Sequence, residues 1–155
     1  MLNRPSNLLA IIPVILLHIK AAVIWGGVVG SYDDLMNNWQ RKVAYQPPPQ
    51  ELTLRNNYRQ NLIQQYGTPK SNPGFWNQID PTYFVKDINV PIQLHHGLSD
   101  EEVPVLFSEN LYKKLKQVGK IVEYFTYQGA DHNISEPSFS IAMNRSVDFF
   151  NKYLK

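Results

Sequence analysis

The order of apolar and polar positions predicts three strands that alternate with helices. Residues 19–29, 90–97 and 121–127 are apolar runs rich in β-branched or aromatic residues, a pattern typical of strands buried on both faces of a parallel sheet. Residues 103–120 and 138–155 have helical apolar spacing instead. The predicted inward-facing residues are Leu106, Leu111, Leu115 and Val118 in the first helix, and Ile141, Val147, Phe150 and Leu154 in the last. The chain therefore predicts an α/β fold with a mostly parallel sheet and flanking helices.

The middle of the chain has a different pattern. Ser31, followed by Asp33 and Asp34, is typical of a helix N-cap. The stretch QPPPQ, residues 46–50, predicts a rigid break in the chain. An amphipathic helix is predicted over residues 51–67, ending at Gly67, and a loop over residues 68–81. We predict a single domain over residues 1–155, in which residues 40–80 form a helical and loop excursion over one end of the sheet.

The N-terminal residues raise the question of targeting. Residues 8–19 are an apolar run that follows Arg4, but Pro13 and His18 interrupt it and Lys20 follows it. The run is shorter than the roughly 20 residues of a membrane-spanning helix, and no clear cleavage site follows it. We favour a buried helix in a soluble protein over a secretory or membrane segment, and the compartment stays open between cytoplasm and exterior.

Composition excludes several functional classes. The 155 residues are 43% hydrophobic and 18% charged, which is typical of a soluble globular domain. A formal net charge of +2 without a Lys/Arg cluster gives no support for nucleic-acid binding. The absence of cysteine excludes a disulfide scaffold, a cysteine zinc site and a cysteine nucleophile.

Ionisable residues follow two of the predicted strands. Asp100 comes soon after Gly97, and His132 lies in the stretch QGADHNIS after the last strand. Carboxyl ends of adjacent parallel strands meet at one edge of a sheet, so we expect these side chains to lie close together. A carboxylate that orients an imidazole is typical of serine hydrolases, and the order Asp then His is that of α/β-hydrolases.

Four stretches carry a family resemblance: PIQLHHGLSDEEVP, SENLYKKLKQVGK, YFTYQGADHNI and VDFFNKYL. With them, residues 19–155 resemble the C-terminal part of the catalytic domain of the prolyl oligopeptidase family. The resemblance implies an α/β-hydrolase fold, a peptide or small ester or amide as substrate, and no cofactor. It also implies that Asp100 is the triad acid, that His132 is the triad base, and that Val103 lies near the substrate pocket.

The nucleophile of that family is missing from the sequence. No G-x-S-x-G motif, the turn that presents the serine, occurs in the 155 residues. Ser31 follows the wrong strand, and Ser6 lacks both flanking glycines. The chain therefore predicts the C-terminal portion of a hydrolase domain that has no triad activity alone.

Other interpretations remain open. Asp100 could begin a helix, and His132 could be a capping residue in a loop; Asp131 is not the expected partner of His132, because adjacent side chains seldom meet. A metal site from His96, Asp100 and His132 is conceivable, but no metal-binding spacing supports it, and we predict no metal. The alternative function is a non-catalytic binding or structural module that self-associates through an exposed sheet edge.

Overall fold

The computed structural model describes residues 19–39 and 49–155 and contains a three-stranded parallel sheet. The strands are β1 (Ala22–Trp25), β2 (Ile92–Gly97) and β3 (Val122–Tyr127), in the spatial order β1-β2-β3. Ile92 of the central strand pairs with Ala22 on one side and with Val122 on the other. The predicted α/β fold with a parallel sheet is confirmed. Within the described residues, the outer edges of β1 and β3 have no strand partner.

Six helical elements accompany the sheet in the described residues. They are α1 (Tyr32–Asn37), α2 (Pro49–Tyr66), α3 (Pro73–Trp76), a 3₁₀ helix (Pro81–Asp87), α4 (Val105–Gln117) and α5 (Ser138–Tyr153). Ser31 caps α1 as predicted: its hydroxyl accepts from the Asp34 N–H, and the Asp34 carboxylate accepts from the Ser31 N–H. The chain leaves α2 at Gly67, which has the positive φ of +76° that favours glycine.

Residues 68–81 are not simply a loop, and that prediction is wrong. Asn72 accepts a hydrogen bond from the N–H of Phe75, and Asp80 accepts one from the N–H of Thr82. A proline follows each of these caps, with a φ already suited to the first helical position. Two side-chain N-caps, Asn72 and Asp80, therefore each stabilise the start of a short helix in a segment whose composition is typical of loops.

The first apolar cluster lies between the sheet and α4. Leu94 of β2 and Leu115 of α4 are fully buried there, together with Val85, Ile92 and Leu111. Two of the predicted inward residues, Leu106 and Val118, are exposed instead. The buried face of α4 consists of Phe107, Ser108, Leu111 and Leu115. These positions are three to four residues apart, so they lie on the one side of the helix that faces the sheet.

The second cluster lies between the sheet and α5, and here the predicted helix face is wrong. Ile141, Val147 and Leu154 are exposed and Phe150 is half-buried, whereas the buried residues of α5 are Ala142, Ser146 and Phe149. Trp25, Phe125 and Tyr127 project from the sheet on this side. Large aromatic side chains on the sheet leave room for small residues on the helix, so Ala142 and Ser146 face inward.

Most of the residues that bear on targeting lie outside the described part of the chain. Residues 1–18, with most of the apolar run and Ser6, and residues 40–48, with most of the proline-rich break, are not described. None of the helices in 19–39 and 49–155 has the length and hydrophobicity needed to cross a membrane.

A buried chain of hydrogen bonds beneath α5 includes His95, which its burial keeps neutral. Arg145 donates to the phenol oxygen of Tyr127 (3.2 Å), and that oxygen lies 2.7 Å from His95 Nδ1. His95 Nε2 lies 2.7 Å from the amide oxygen of Gln93, which can only accept. His95 therefore carries its proton on Nε2 and accepts from Tyr127 on Nδ1. Burial, and secondly the charge of Arg145, lower the pKa of His95 to about 4.

We expect this histidine to make the fold sensitive to mild acid. The ordinary pKa of 6.5 applies in the unfolded chain, so the unfolded chain gains this proton first as pH falls. The stabilisation by neutral His95 is complete above pH 6.5 and is lost as pH falls toward 4, by up to about 3 kcal/mol. Urea unfolding at several pH values measures it, with His95→Gln as the non-titrating control. Parallel pH profiles for the two proteins would refute the assignment.

Candidate active site

The loops after β2 and β3 are held against each other at the carboxyl end of the sheet. The N–H groups of Leu98 and Ser99 donate to the carbonyl oxygens of Tyr127 and Ala130, each at 2.9 Å. Gly97 permits this approach, because a Cβ at that position would overlap the carbonyl oxygens of Ala130 and Asp131. The two loops therefore have a fixed separation.

Asp100 and His132 form a hydrogen-bonded pair across these two loops. Asp100 Oδ2 lies 2.9 Å from His132 Nδ1, and the side chains are 1% and 31% exposed respectively. The other carboxylate oxygen, Oδ1, accepts from the N–H groups of Glu102 and Val103, both at 2.8 Å. These two backbone bonds fix the carboxylate so that Oδ2 points at the imidazole. The expected proximity of the two side chains is confirmed.

The geometry leaves the outer nitrogen of His132 available. Because Nδ1 donates to the carboxylate, neutral His132 has no proton on Nε2. No group in the described part of the chain forms a hydrogen bond with Nε2. Gly26, with φ of +50°, lies close to the ring, where an added Cβ would be 3.1 Å from Nδ1 and 3.2 Å from Cε1. In the neutral ring Nε2 therefore has a free lone pair on a side chain that is 31% exposed, as a general base requires.

Asp131 takes no part in this pair. Its carboxylate accepts from the N–H and the hydroxyl of Ser135, at 2.9 and 2.8 Å. These hydrogen bonds lower the pKa of Asp131, and the one from the backbone N–H of Ser135 has the largest effect. The prediction that Asp131 is not the partner of His132 is confirmed, and its side chain instead stabilises the turn.

Val103 and His96 complete the surroundings of Asp100. Val103 is buried, and its backbone donates to Asp100 and accepts from His96 Nε2 at 3.0 Å. The role of Val103 near a substrate pocket stays a prediction. His96 Nε2 also lies 3.1 Å from Asp100 Oδ2, a contact that sequence reasoning missed. His95 and His96 do point to opposite faces of β2, toward Ser146 and Ser108 respectively, as the strand period predicts.

The metal alternative gains no support from this geometry. Both histidine nitrogens that face Asp100 carry protons, since His96 Nε2 donates to the carbonyl oxygen of Val103 and His132 Nδ1 donates to the carboxylate. A protonated nitrogen has no lone pair for a metal. Among residues 19–39 and 49–155, no cluster of three or more His, Cys, Asp or Glu could hold a metal ion.

No serine hydroxyl forms a hydrogen bond with His132 in the described residues. The hydroxyl of Ser31 donates to the Asp34 carboxylate at 2.9 Å, which is a helix-capping contact, and Ser135 bonds to Asp131. Ser6 lies outside the described residues.

The likeness to a solved esterase structure supports the fold. A thermophilic esterase from Thermogutta terrifontis matches with a TM-score of 0.54 and 16% identity over 86% of this chain and 43% of its own. Acylaminoacyl peptidase from Pyrococcus horikoshii matches with a TM-score of 0.45 and 26% identity over 51% of this chain. Dipeptidyl peptidase 4 from Porphyromonas gingivalis matches with a TM-score of 0.49 and 16% identity over 56% of this chain. The chain spans only 14% and 12% of those two peptidases.

Sequence comparison gives the family. No curated protein sequence matches the chain significantly. The model of the prolyl oligopeptidase family, however, matches residues 39–155, which is most of the chain and includes both Asp100 and His132. This match agrees with the parallel sheet and with the structural likeness to the esterase. The chain belongs to the prolyl oligopeptidase family of α/β-hydrolases.

Proposed function

We propose that this chain supplies the acid and the base of a serine-type acyl-transfer site, and that the nucleophilic serine is not among its 155 residues. The observation that carries the proposal is the 2.9 Å contact of Asp100 Oδ2 with His132 Nδ1, which leaves Nε2 of the neutral ring unprotonated on a partly exposed side chain. Family membership supports the same chemistry. The lack of a G-x-S-x-G motif in the sequence supports an external nucleophile.

In this proposal the two residues have separate tasks. His132 Nε2 takes the proton of the serine hydroxyl as the oxygen attacks the substrate carbonyl, and then returns it to the leaving group. Asp100 keeps the proton of neutral His132 on Nδ1 and stabilises the imidazolium that forms. The site chemistry suits esters and amides, and the family supports short peptides as the substrate class. No step needs a cofactor.

A hybrid enzyme tests the proposal. Residues 91–155 of this chain would replace the corresponding C-terminal segment of an active serine peptidase of the family, which provides the serine and the rest of the sheet. We expect the hybrid to hydrolyse a chromogenic peptide anilide. A hybrid that is monodisperse and unfolds cooperatively, yet has no turnover and does not react with a fluorophosphonate probe, would overturn the proposal.

The isolated chain should behave differently from the hybrid. We expect no stoichiometric labelling of the 155-residue chain by a fluorophosphonate, because these reagents need a serine activated by the base. Intact-mass spectrometry measures the adduct, with an active serine peptidase as positive control and heat-denatured chain as background. One labelled serine per folded chain would show that the chain contains its own nucleophile.

The open edge of β1 favours a second candidate function. Within the described residues β1 pairs with β2 alone, and unpaired strand edges associate readily. A non-catalytic module would use this edge to bind a second copy of the chain. Size-exclusion chromatography with light scattering distinguishes the two functions: a discrete dimer of unchanged α/β content supports the module, whereas a folded monomer supports the acyl-transfer site.

A further inference from the structure

The end of β1 lies directly against the ring of His132. Gly26 follows β1 and is buried. A Cβ built on Gly26 would lie 3.1 Å from Nδ1 and 3.2 Å from Cε1 of His132, closer than an ordinary van der Waals contact. It would also lie 3.2 Å from the backbone carbonyl oxygen of His132, so rotation of the ring alone would not relieve the contact. The imidazole therefore occupies the space that a side chain at residue 26 would need.

The end of β1 is anchored and cannot easily move away from this ring. The N–H of Gly26 donates to the carbonyl oxygen of His95 at 2.9 Å, which extends the pairing of β1 with β2 by one residue. The indole N–H of Trp25, the preceding residue, donates to the hydroxyl of Ser146 on α5 at 3.2 Å. These two hydrogen bonds fix the position of Gly26 relative to the sheet and to α5.

The Asp100–His132 pair has equally little freedom to adjust. Two backbone N–H groups of its own loop hold Oδ1 of Asp100, and Oδ2 lies 2.9 Å from His132 Nδ1. The loop that carries His132 is tied to the loop of Asp100 by the hydrogen bond from the N–H of Ser99 to the carbonyl oxygen of Ala130. A ring displaced from Gly26 would therefore lose its hydrogen-bond geometry, because the carboxylate could not follow it.

We propose that Gly26 is a positioning residue: because it has no side chain, the imidazole of His132 lies at hydrogen-bond distance from Asp100, and the backbone of Gly26 restricts the ring to that orientation. The inference rests on the proposed function, because it concerns the same base. In this arrangement the end of β1 supports the ring, the loop after β2 carries the acid and the loop after β3 carries the base.

Gly26→Ala tests this role, and Gly129→Ala is its matched control. Both glycines have a positive φ, of +50° and +72° respectively, so alanine strains the backbone at either position. A Cβ at Gly129, however, would meet no atom within 4 Å, although this glycine lies in the loop that carries His132. A difference between the two variants therefore reports the contact with the imidazole and not the backbone strain.

The measurement is the tautomer of neutral His132 in the full 155-residue chain, followed by ¹H–¹⁵N NMR. In Gly26→Ala we expect the ratio of the Nδ1–H form to the Nε2–H form to fall at least about tenfold, in line with the loss of a hydrogen bond to a charged group. In Gly129→Ala the ratio should stay within about twofold of the parent, since no hydrogen bond of His132 is affected. Equal falls in the two variants, or no fall in Gly26→Ala, would overturn the inference.

Two further readouts keep the test decisive. In the parent chain we expect a nuclear Overhauser effect between an α-proton of Gly26 and Hε1 of His132. Its absence would overturn the inference without any variant, even where Gly26→Ala does not fold. Asp100→Asn distinguishes this inference from the proposed function. If Asp100→Asn alters the tautomer of His132 but Gly26→Ala does not, the pair stands and only the role of Gly26 fails. If neither does, the pair itself fails.

Discussion

In the hybrid peptidase, His132→Ala is expected to lower kcat/KM by about 10⁶-fold, and Asp100→Asn by about 10⁴-fold. The first change removes the base that accepts the serine proton. The residual rate then comes from binding and from electrostatic stabilisation of the intermediate by the rest of the enzyme.

The effect of Asp100→Asn follows from the hydrogen bonds of the carboxylate. The N–H groups of Glu102 and Val103 donate to Oδ1, so the amide oxygen of asparagine must take that position. The amide nitrogen then faces His132 Nδ1 in place of Oδ2. Two donors cannot face each other, so His132 becomes the Nε2–H tautomer and can no longer accept the serine proton.

Asp131→Asn provides the matched control for this prediction. Asp131 immediately precedes His132, but its carboxylate bonds to Ser135, so its substitution should change kcat/KM by less than about tenfold while losing some turn stability. The assignment of Asp100 would be wrong if Asp100→Asn also remained within tenfold of the parent hybrid. Steady-state kinetics with a peptide anilide measures all three variants.

The second large effect is expected at Gly97. Gly97→Ala would place a Cβ into the carbonyl oxygens of Ala130 and Asp131, which are backbone atoms of the loop that carries His132. Relief requires the two loops to separate, and that breaks the hydrogen bond from Ser99 to Ala130. We expect a loss of about 3–5 kcal/mol in the free energy of unfolding, or failure to fold.

Gly74→Ala is the control for Gly97. A Cβ at Gly74 would meet only the side-chain oxygen of Asn72 at 3.7 Å, an ordinary contact, and the residue lies within the short helix α3. Alanine favours a helix more than glycine, so stability should be unchanged or raised by up to about 1 kcal/mol. Urea unfolding measures both variants. Equal stability of Gly97→Ala and the parent would mean that the loops are not in this close contact.

Much of the fold and of the candidate site follows from local sequence patterns. The three strands lie in the predicted apolar runs, although only β2 is buried throughout and β1 and most of β3 are partly exposed. Ser31 and Gly67 mark a helix start and a helix end by their own backbone preferences. Asp100 and His132 could be paired from sequence because parallel strands place the residues that follow them at one edge.

The rest depends on contacts that local patterns do not contain. The inward face of α5 carries Ala142 and Ser146 because the aromatic side chains of the sheet occupy the space beside them, a tertiary effect. The contacts of His96 were missed for a similar reason. A histidine in a buried strand shows by its position which face it points to, but its hydrogen bond to Ser108 and its contact with Asp100 depend on how α4 and the loop after β2 pack.

The most direct test of the Asp100–His132 pair is the tautomer of His132 in the 155-residue chain, measured by ¹⁵N NMR across its titration. The structure predicts the Nδ1–H tautomer for the neutral ring in the parent chain and a change to the Nε2–H tautomer in Asp100→Asn. An Nε2–H tautomer in the parent chain, or a tautomer that Asp100→Asn leaves unchanged, would contradict the pairing on which the proposed acyl-transfer site depends.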